Sequence, residues 1–470
     1  MIHRRDAMLR MGTAAGGALT LPRLMAMEKS AEPPQKRSAK SCIFLFTWGG
    51  QPQQDLWDVK PDAPDGIRSP FQPIETTVPG MLLGDPLPQL ARQADKLAIV
   101  RSLMHNTTDH QTAVYHALTG RVMTPPRVFP ANARTRNDFP SIGSMFSCLR
   151  EKTGGEKPSL PASFSIPRAV AHDGLYYAGT HAGFLGSQHD PVELGQVFNH
   201  VQVGPRSDPP ALPLTLPDEI SRTRLQARRG LRDLLDAEDR AMQQAAATRA
   251  FDGVYETAFR MLHSPTVKDA LNLDLESSAT RDRYGRNEYG ESFLTARRLV
   301  EAGVRLVTVN WMFITPAAKV YNVWDAHGGL NDLEHGKTGY GMLKANYCLP
   351  AFDQAFSALL EDLAQRGLLD ETLVACAGEF GRTPKINVNN GRDHWPFCYS
   401  AVLAGGGIRG GSIYGASDKQ AAYVKDNAVT PGDYLATICA ACGLDPAREI
   451  HDLEGRPFKI CDGEPIAPIL

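Results

Sequence analysis

GESFLTARRLVEAGVRLVTVNW, residues 290–311, decides the fold class: Gly290–Ala302 reads as a helix, and it feeds Val304–Trp311, which reads as a central strand. The same alternation recurs to either side. Upstream, CIFLF (Cys42–Phe46) is a continuous apolar run ending in a Gly-Gly loop, and LAIV (Leu97–Val100) is a second. Short unbroken apolar runs suit strands covered on both faces of a parallel sheet. Downstream, Phe352, Phe356, Leu359, Leu360 and Leu363 recur at helical spacing, and Gly367 ends that helix. TLVACAG (Thr372–Gly378) and AVLAGGG (Ala401–Gly407) read as further strands. Thr430 is placed to cap a helix whose first position is Pro431. Strands alternating with helices predict an α/β fold, a mostly parallel central sheet with helices on both faces.

Working outward, residues 151–215 are rich in Pro and Gly and read as loops and short strands of a lid or insertion, followed by a helical, charge-dense stretch to about Leu262. Those charges suit a solvated helix face. The insertion therefore spans about 151–262 of a single domain covering residues 35–470. The first 34 residues read differently. Arg4-Arg5 precede a weakly apolar Gly/Ala-rich stretch and then a polar Lys/Pro segment. This pattern reads as a twin-arginine export signal, and the stretch is too short and too weakly apolar for a membrane span. The expected location is the periplasm, cell envelope or extracellular space, with no transmembrane span in the mature chain.

Bulk composition narrows the partners. The 470 residues carry a formal net charge of −2, so no basic field points to nucleic acid. Eight cysteines are scattered, and the one CxxC, Cys439 and Cys442, lies in an apolar helical run. That pattern suits buried structural thiols rather than a zinc ribbon, a redox motif or a disulfide framework.

In such sheets ligands sit at the carboxyl ends of the strands, and four groups of residues fall there. They are Trp48-Gly49-Gly50-Gln51 leading to Asp55 and Asp58; His105 to His110; Trp324-Asp325-Ala326-His327-Gly328; and Gly378 to Thr383 with Gly391 to Trp395. Carboxylates and imidazoles gathered in this way suit a divalent metal. Such a metal clamps a phosphate or sulfate oxygen and acidifies water. Arg382 is suited to binding an oxyanion in bidentate fashion. Each group also has a structural reading. Asp325 and His327 can cap a turn, Glu379 and Arg382 can form a buried ion pair, and His394 can be a satisfied core histidine. His105, His110 and His116 can owe their places to hydrogen bonding near a helix end.

Several of these stretches together resemble a known family. CIFLFTWGGQPQQDLWDVKPDAP, HNTTDHQTAVYHALTG, RRLVEAGVRLVTVNW, WDAHGG, GEFGRTPKIN with GRDHWP, and LAGGGIRGGSIYGASD are similar, in order, to the domain-of-unknown-function family 1501. The resemblance spans roughly residues 41–450. It implies an alkaline-phosphatase and sulfatase type of core, commonly exported by the twin-arginine route in planctomycete-like bacteria. Ala117-Leu118-Thr119-Gly120 resembles the end of the sulfatase signature and places His110 where a sulfatase carries its modified Cys or Ser. Formylglycine chemistry is therefore not expected. The first strand ends in Thr47-Trp48-Gly49 where the superfamily has a metal-binding Asp, with Asp55 the nearest substitute; Glu379-Phe380 stands where an Asp-His pair is usual. These departures imply one metal, or a decayed site, rather than a two-zinc centre.

The family has no settled activity, so the resemblance implies the fold more than the reaction; the first reading of the residues is an exported, formylglycine-independent, metal-dependent hydrolase of sulfate or phosphate esters. Asp325, His327, Glu379 and His394 would hold zinc, manganese or calcium. His110 would be a ligand or general acid/base, and Arg382 would bind the anionic ester, a small molecule or a glycan. Thr107, Thr108 or water would be the nucleophile, with water preferred because no activated Ser or Cys is evident. The alternative is a non-catalytic envelope protein that keeps the fold and binds a partner.

Overall fold

The computed structural model describes residues 38–127, 131, 133–151, 160–172, 175–194, 258–259, 261–314, 320–328, 338–452 and 454–470. The leader, and most of the insertion expected over 151–262, lie outside the described residues. Eight strands form the main sheet: β1 (Ser41–Phe46), β2 (Leu97–Leu103), β3 (Ser163–Ile166), β4 (Val192–Glu193), β5 (Leu306–Asn310), β6 (Thr372–Ala377), β7 (Tyr399–Gly405) and β8 (Ser412–Tyr414). Their order across the sheet is β8-β2-β7-β6-β1-β5-β3-β4. Every pairing is parallel except the two made by β7, which runs antiparallel to β6 and β2.

The apolar runs become strands because both of their faces are covered. In β1, Ile43 and Leu45 join Val307, Val309, Val374 and Cys376 on one face. Against that face pack α4 (Glu288–Glu301) and α5 (Leu349–Gln365) through Phe293, Leu299, Phe352, Phe356 and Leu359. On the other face Cys42, Phe44 and Phe46 join Leu373, Ala375 and Leu403. There α2 (His110–Thr119), α3 (Ile142–Glu151) and α6 (Pro431–Ala441) contribute Val114, Leu118, Ile142, Phe146, Leu435 and Ile438. Alternate strand residues face opposite ways, so a strand with two helical layers must be apolar at every position. Each large aliphatic or aromatic side chain buried here contributes about 1.5–3 kcal/mol. Among the described residues no helix is long and apolar enough to cross a membrane.

Local signals fix the helix ends. Asn287 caps α4 by accepting from Tyr289 N and Gly290 N at 3.1 and 3.0 Å. Thr430 and Asp433 form a reciprocal capping box at α6, with Pro431 at its first turn as expected. Gly367, at φ 69°, follows the end of α5.

Two features differ from the sequence reading. Residues 151–215 read as loops and short strands of a lid or insertion, and two of those short strands, β3 and β4, lie in the main sheet itself, with β3 beside β5 over Ser163 to Ile166. Strands of four and two residues carry too little periodicity to be read from sequence. The run containing Ala401–Gly407 is a central strand as expected, but antiparallel. That reversal matters, because the chain entering β7 then starts from the edge at which the parallel strands end.

Candidate metal centre

Five chain segments meet at that carboxyl edge. β1 runs into Thr47-Trp48-Gly49-Gly50, and β2 runs through His105 to His110, the first residue of α2. Asp109 sets the start of that helix by accepting from Thr112 N at 2.9 Å. After β5 the chain returns at Asn322–His327. After β6 come Gly378 and Glu379, and then Gly381–Arg382 pairs antiparallel with His394–Trp395 just before β7. Gly49, at φ +112°, allows the close approach: a Cβ there would lie 2.4 Å from Asp325 N.

These segments bring His110, Asp325 and His394 together, one ligating atom from each lying within 4.8 Å of the others. His110 Nε2 is 3.3 Å from Asp325 Oδ2, and His394 Nε2 is 2.9 Å from Asp325 Oδ1. The two imidazoles stand edge to face with centroids 4.4 Å apart. Phe380 closes one side, stacked on His394 at 4.5 Å and tilted against His110 at 5.0 Å. His327 Nε2 approaches Asp325 Oδ2 to 3.2 Å; its side chain, 33% exposed, faces solvent more than the other three.

The supporting hydrogen bonds say where the protons are. His394 Nδ1 lies 2.9 Å from the Thr108 carbonyl, an acceptor only, so Nδ1 carries the hydrogen. Burial pushes the His394 pKa down, and Arg382 adds to the effect against the opposing pull of Asp325. A neutral ring with its hydrogen on Nδ1 turns the Nε2 lone pair toward a carboxylate oxygen 2.9 Å away, a contact that a cation between them would satisfy. A two-imidazole, one-carboxylate set suits zinc or a related divalent ion.

His110 is the counterpart with both nitrogens on carboxylates. Its Nδ1 is 2.7 Å from Glu379 Oε1. Burial would lower its pKa, but Asp325 and Glu379 outweigh burial and raise it to about 9. Asp325 is held well below the usual carboxylate range: burial would raise it, and Arg382 and His110 reverse that. His327 is raised, chiefly by its hydrogen bond to Asp325.

The remaining expected residues take other places. Glu379, fully buried, accepts Gly49 N–H on both oxygens at 2.9 and 3.0 Å and holds His110 Nδ1, so it stands behind that imidazole. Arg382, 1% exposed, donates to the carbonyls of Gly49, Gly50, Trp324 and Arg392 and to Asp325 Oδ1 at 2.8 Å. All three of its nitrogens are engaged with the chain. The oxyanion-binding expectation for Arg382 is thereby corrected, because a guanidinium already wrapped in carbonyls presents no fork to a ligand. Asp55 is corrected as well: Arg392 grips both its oxygens at 3.0 Å and Tyr340 Oη donates to it at 2.9 Å, making a buried structural triad. Thr108 contributes its carbonyl to His394. Asn322, whose Nδ2 lies 3.3 Å from His110 Nε2, was missed, since a lone Asn in a loop carries no sequence signal.

No curated protein matches the chain. Among solved structures it is similar to a Bacteroides thetaiotaomicron protein from work on glycosaminoglycan metabolism, at 13% identity and TM-score 0.41, covering 92% of this chain and 76% of that one. A phosphonate monoester hydrolase from Silicibacter pomeroyi is similar at 13% identity and TM-score 0.37, with the same coverage of 92% and 76%. Alkaline phosphatase from the Antarctic bacterium TAB5 is similar at 9% identity and TM-score 0.34, covering 87% of this chain and 100% of that one. Likenesses at these scores say nothing of what the chain acts on. The family model described as "Protein of unknown function (DUF1501)" matches residues 39–470, in accord with the motifs read from the sequence, and the chain belongs to that family.

Proposed function

We propose that this protein is an exported hydrolase of sulfate or phosphate esters that uses a divalent metal held by His110, Asp325 and His394. The observation that carries the reading is His394 Nε2 facing Asp325 Oδ1 at 2.9 Å, next to His110. A zinc, manganese or calcium ion, when bound, supplies Lewis acidity toward an ester oxygen and makes water more acidic.

The chain's own residues do the rest. Glu379 fixes His110 through Nδ1, leaving Nε2 free of its proton once a cation takes that place, the arrangement typical of a carboxylate supporting a metal-binding histidine. Arg382 keeps Asp325 ionised and draws together the loops at 49–50, 324–325 and 392. With His110 protonated, the charges of His110, Asp325, Glu379 and Arg382 balance. Exchanging that proton for a divalent cation makes the site net positive, which favours an anionic ester, a small molecule or part of a glycan. His327, on the solvent side, holds a proton at Nε2 that can pass to the leaving oxygen. Phe380 excludes water from one flank of the imidazoles. Water is the nucleophile, since among the described residues the cluster of His110, Asp325 and His394 holds no serine or cysteine.

One observation favours a second reading, a binding protein without catalysis: Arg382 is spent on the chain and leaves no fork for an oxyanion. Metal quantification on the purified chain, followed by sulfate- and phosphate-monoester assays of wild type and Asp325→Ala, separates the two. We expect near-stoichiometric metal and hydrolysis that is lost in the variant. Metal with no hydrolysis supports the binding role; metal-free protein removes the centre altogether.

A further inference from the structure

All eight cysteines are buried, yet four of them, Cys42, Cys439, Cys442 and Cys461, collect in the core between the sheet and α6. The Sγ atoms of Cys439 and Cys461 are 3.8 Å apart, and Cys42 and Cys442 are neighbours in the same cluster. The four sulfurs do not make a metal site: among the described residues the group of ligating atoms mutually within 4.8 Å is His110, Asp325 and His394. They are two pairs across a helix.

We propose that Cys439 and Cys461 are a disulfide site, closed when the chain meets an oxidising compartment. A disulfide has its sulfurs about 2.05 Å apart, so the pair must close by roughly 1.8 Å, within reach of small side-chain rotations. The two cysteines join α6 to the terminal segment 461–470. That segment already docks on α6, with Glu464 N donating to Asp433 Oδ1 at 2.8 Å and Ile466 N to Thr437 Oγ1 at 2.9 Å. It also reaches the catalytic rim indirectly. Arg121, just past the end of α2, donates to Lys459 O at 2.6 Å and pairs with Asp462. A cross-link at Cys461 therefore secures the far end of the helix that presents His110.

The chemistry is thiol–disulfide exchange with a small disulfide such as oxidised glutathione. The Cys461 thiolate attacks one glutathione sulfur and expels the other as a thiolate. Cys439 then attacks Cys461 Sγ in the mixed disulfide and expels the second. One S–S bond breaks and one forms, and both cysteine protons end on the two released thiols. The contact with Cys461, and then burial, hold the Cys439 thiol well above its usual pKa, so exchange is slow while the terminal segment is docked.

The test is peptide mass spectrometry, without reduction, on the full chain equilibrated in oxidised or in reduced glutathione. Oxidised protein is expected to yield one peptide pair joined through Cys439 and Cys461, two fewer titratable thiols than the eight of the chain, and a Tm higher by roughly 5 °C. The Cys442→Ser variant is expected to keep the link, and Cys461→Ser to lose both the link and the redox-dependent Tm shift. Eight free thiols after oxidation, or Cys439 joined to any other partner, would overturn the proposal.

Discussion

His105 and His110 leave the same strand end five residues apart, and both lean on Glu379, yet they have opposite characters. His105 Nε2 donates to the Glu379 main-chain carbonyl at 2.6 Å, and its Nδ1 accepts from Thr107 N at 3.2 Å. It packs edge-on to His116 at 5.6 Å, and burial lowers its pKa. Its neighbour His116 is driven down to about 4 by burial and by His105. Both imidazoles are pushed toward the neutral form, and His105 has a partner at each ring nitrogen. His110 meets the carboxylate of the same Glu379, and Asp325 as well, and is raised to about 9 although burial alone would lower it. What separates the histidine held neutral from the one raised to about 9 is the group facing each ring nitrogen, a carbonyl in one case and carboxylates in the other.

The contrast can be broken at four points. Replacing His394 with Ala should lower metal affinity by more than the 10–100-fold typical of a supporting residue, while His116→Phe should leave it unchanged. Equilibrium dialysis on both variants measures this, and equal losses would erase the distinction between the pairs. Next in size is acid lability. His116 in the folded chain sits below the unfolded value, so the stability it contributes is complete above pH 6.5. It is lost as pH falls to about 4, at most roughly 3 kcal/mol. Urea melts at pH 7 and pH 4.5 should therefore diverge less in His116→Phe than in wild type. Glu379→Gln keeps the shape but weakens the hold on His110, and a 10–100-fold drop in metal affinity is expected by titration calorimetry. The smallest effect should come from Asp109→Ala, which removes the cap of α2 at a cost of about 1 kcal/mol by thermal melt. A larger loss there would mean that the helix start does more than end the helix.

Much of the scaffold is legible in the chain itself. The runs at Cys42–Phe46, Leu97–Val100, Val304–Trp311 and Thr372–Gly378 read as strands because burial on both faces leaves a local mark. Thr430-Pro431 and Gly367 mark helix ends for equally local reasons. The edge at which to look followed from the fold class, and His110, Asp325, His327, Glu379, Arg382 and His394 do gather there. Their division of labour was not legible. Arg382 reads as a ligand-binding arginine in sequence and is a clamp in space. Asp55 reads as a ligand and is closed off by Arg392 and Tyr340.

The primary order determined a doubly covered, mostly parallel sheet, because that requirement is written in consecutive residues. Tertiary structure alone decided which histidine is charged, which is neutral and which carboxylate faces both. His110 meets Glu379 across 269 positions of chain, and His394 meets Asp325 across 69. A side chain's protonation depends on the charges and carbonyls within a few ångströms of it, and no periodicity along the chain encodes neighbours that distant.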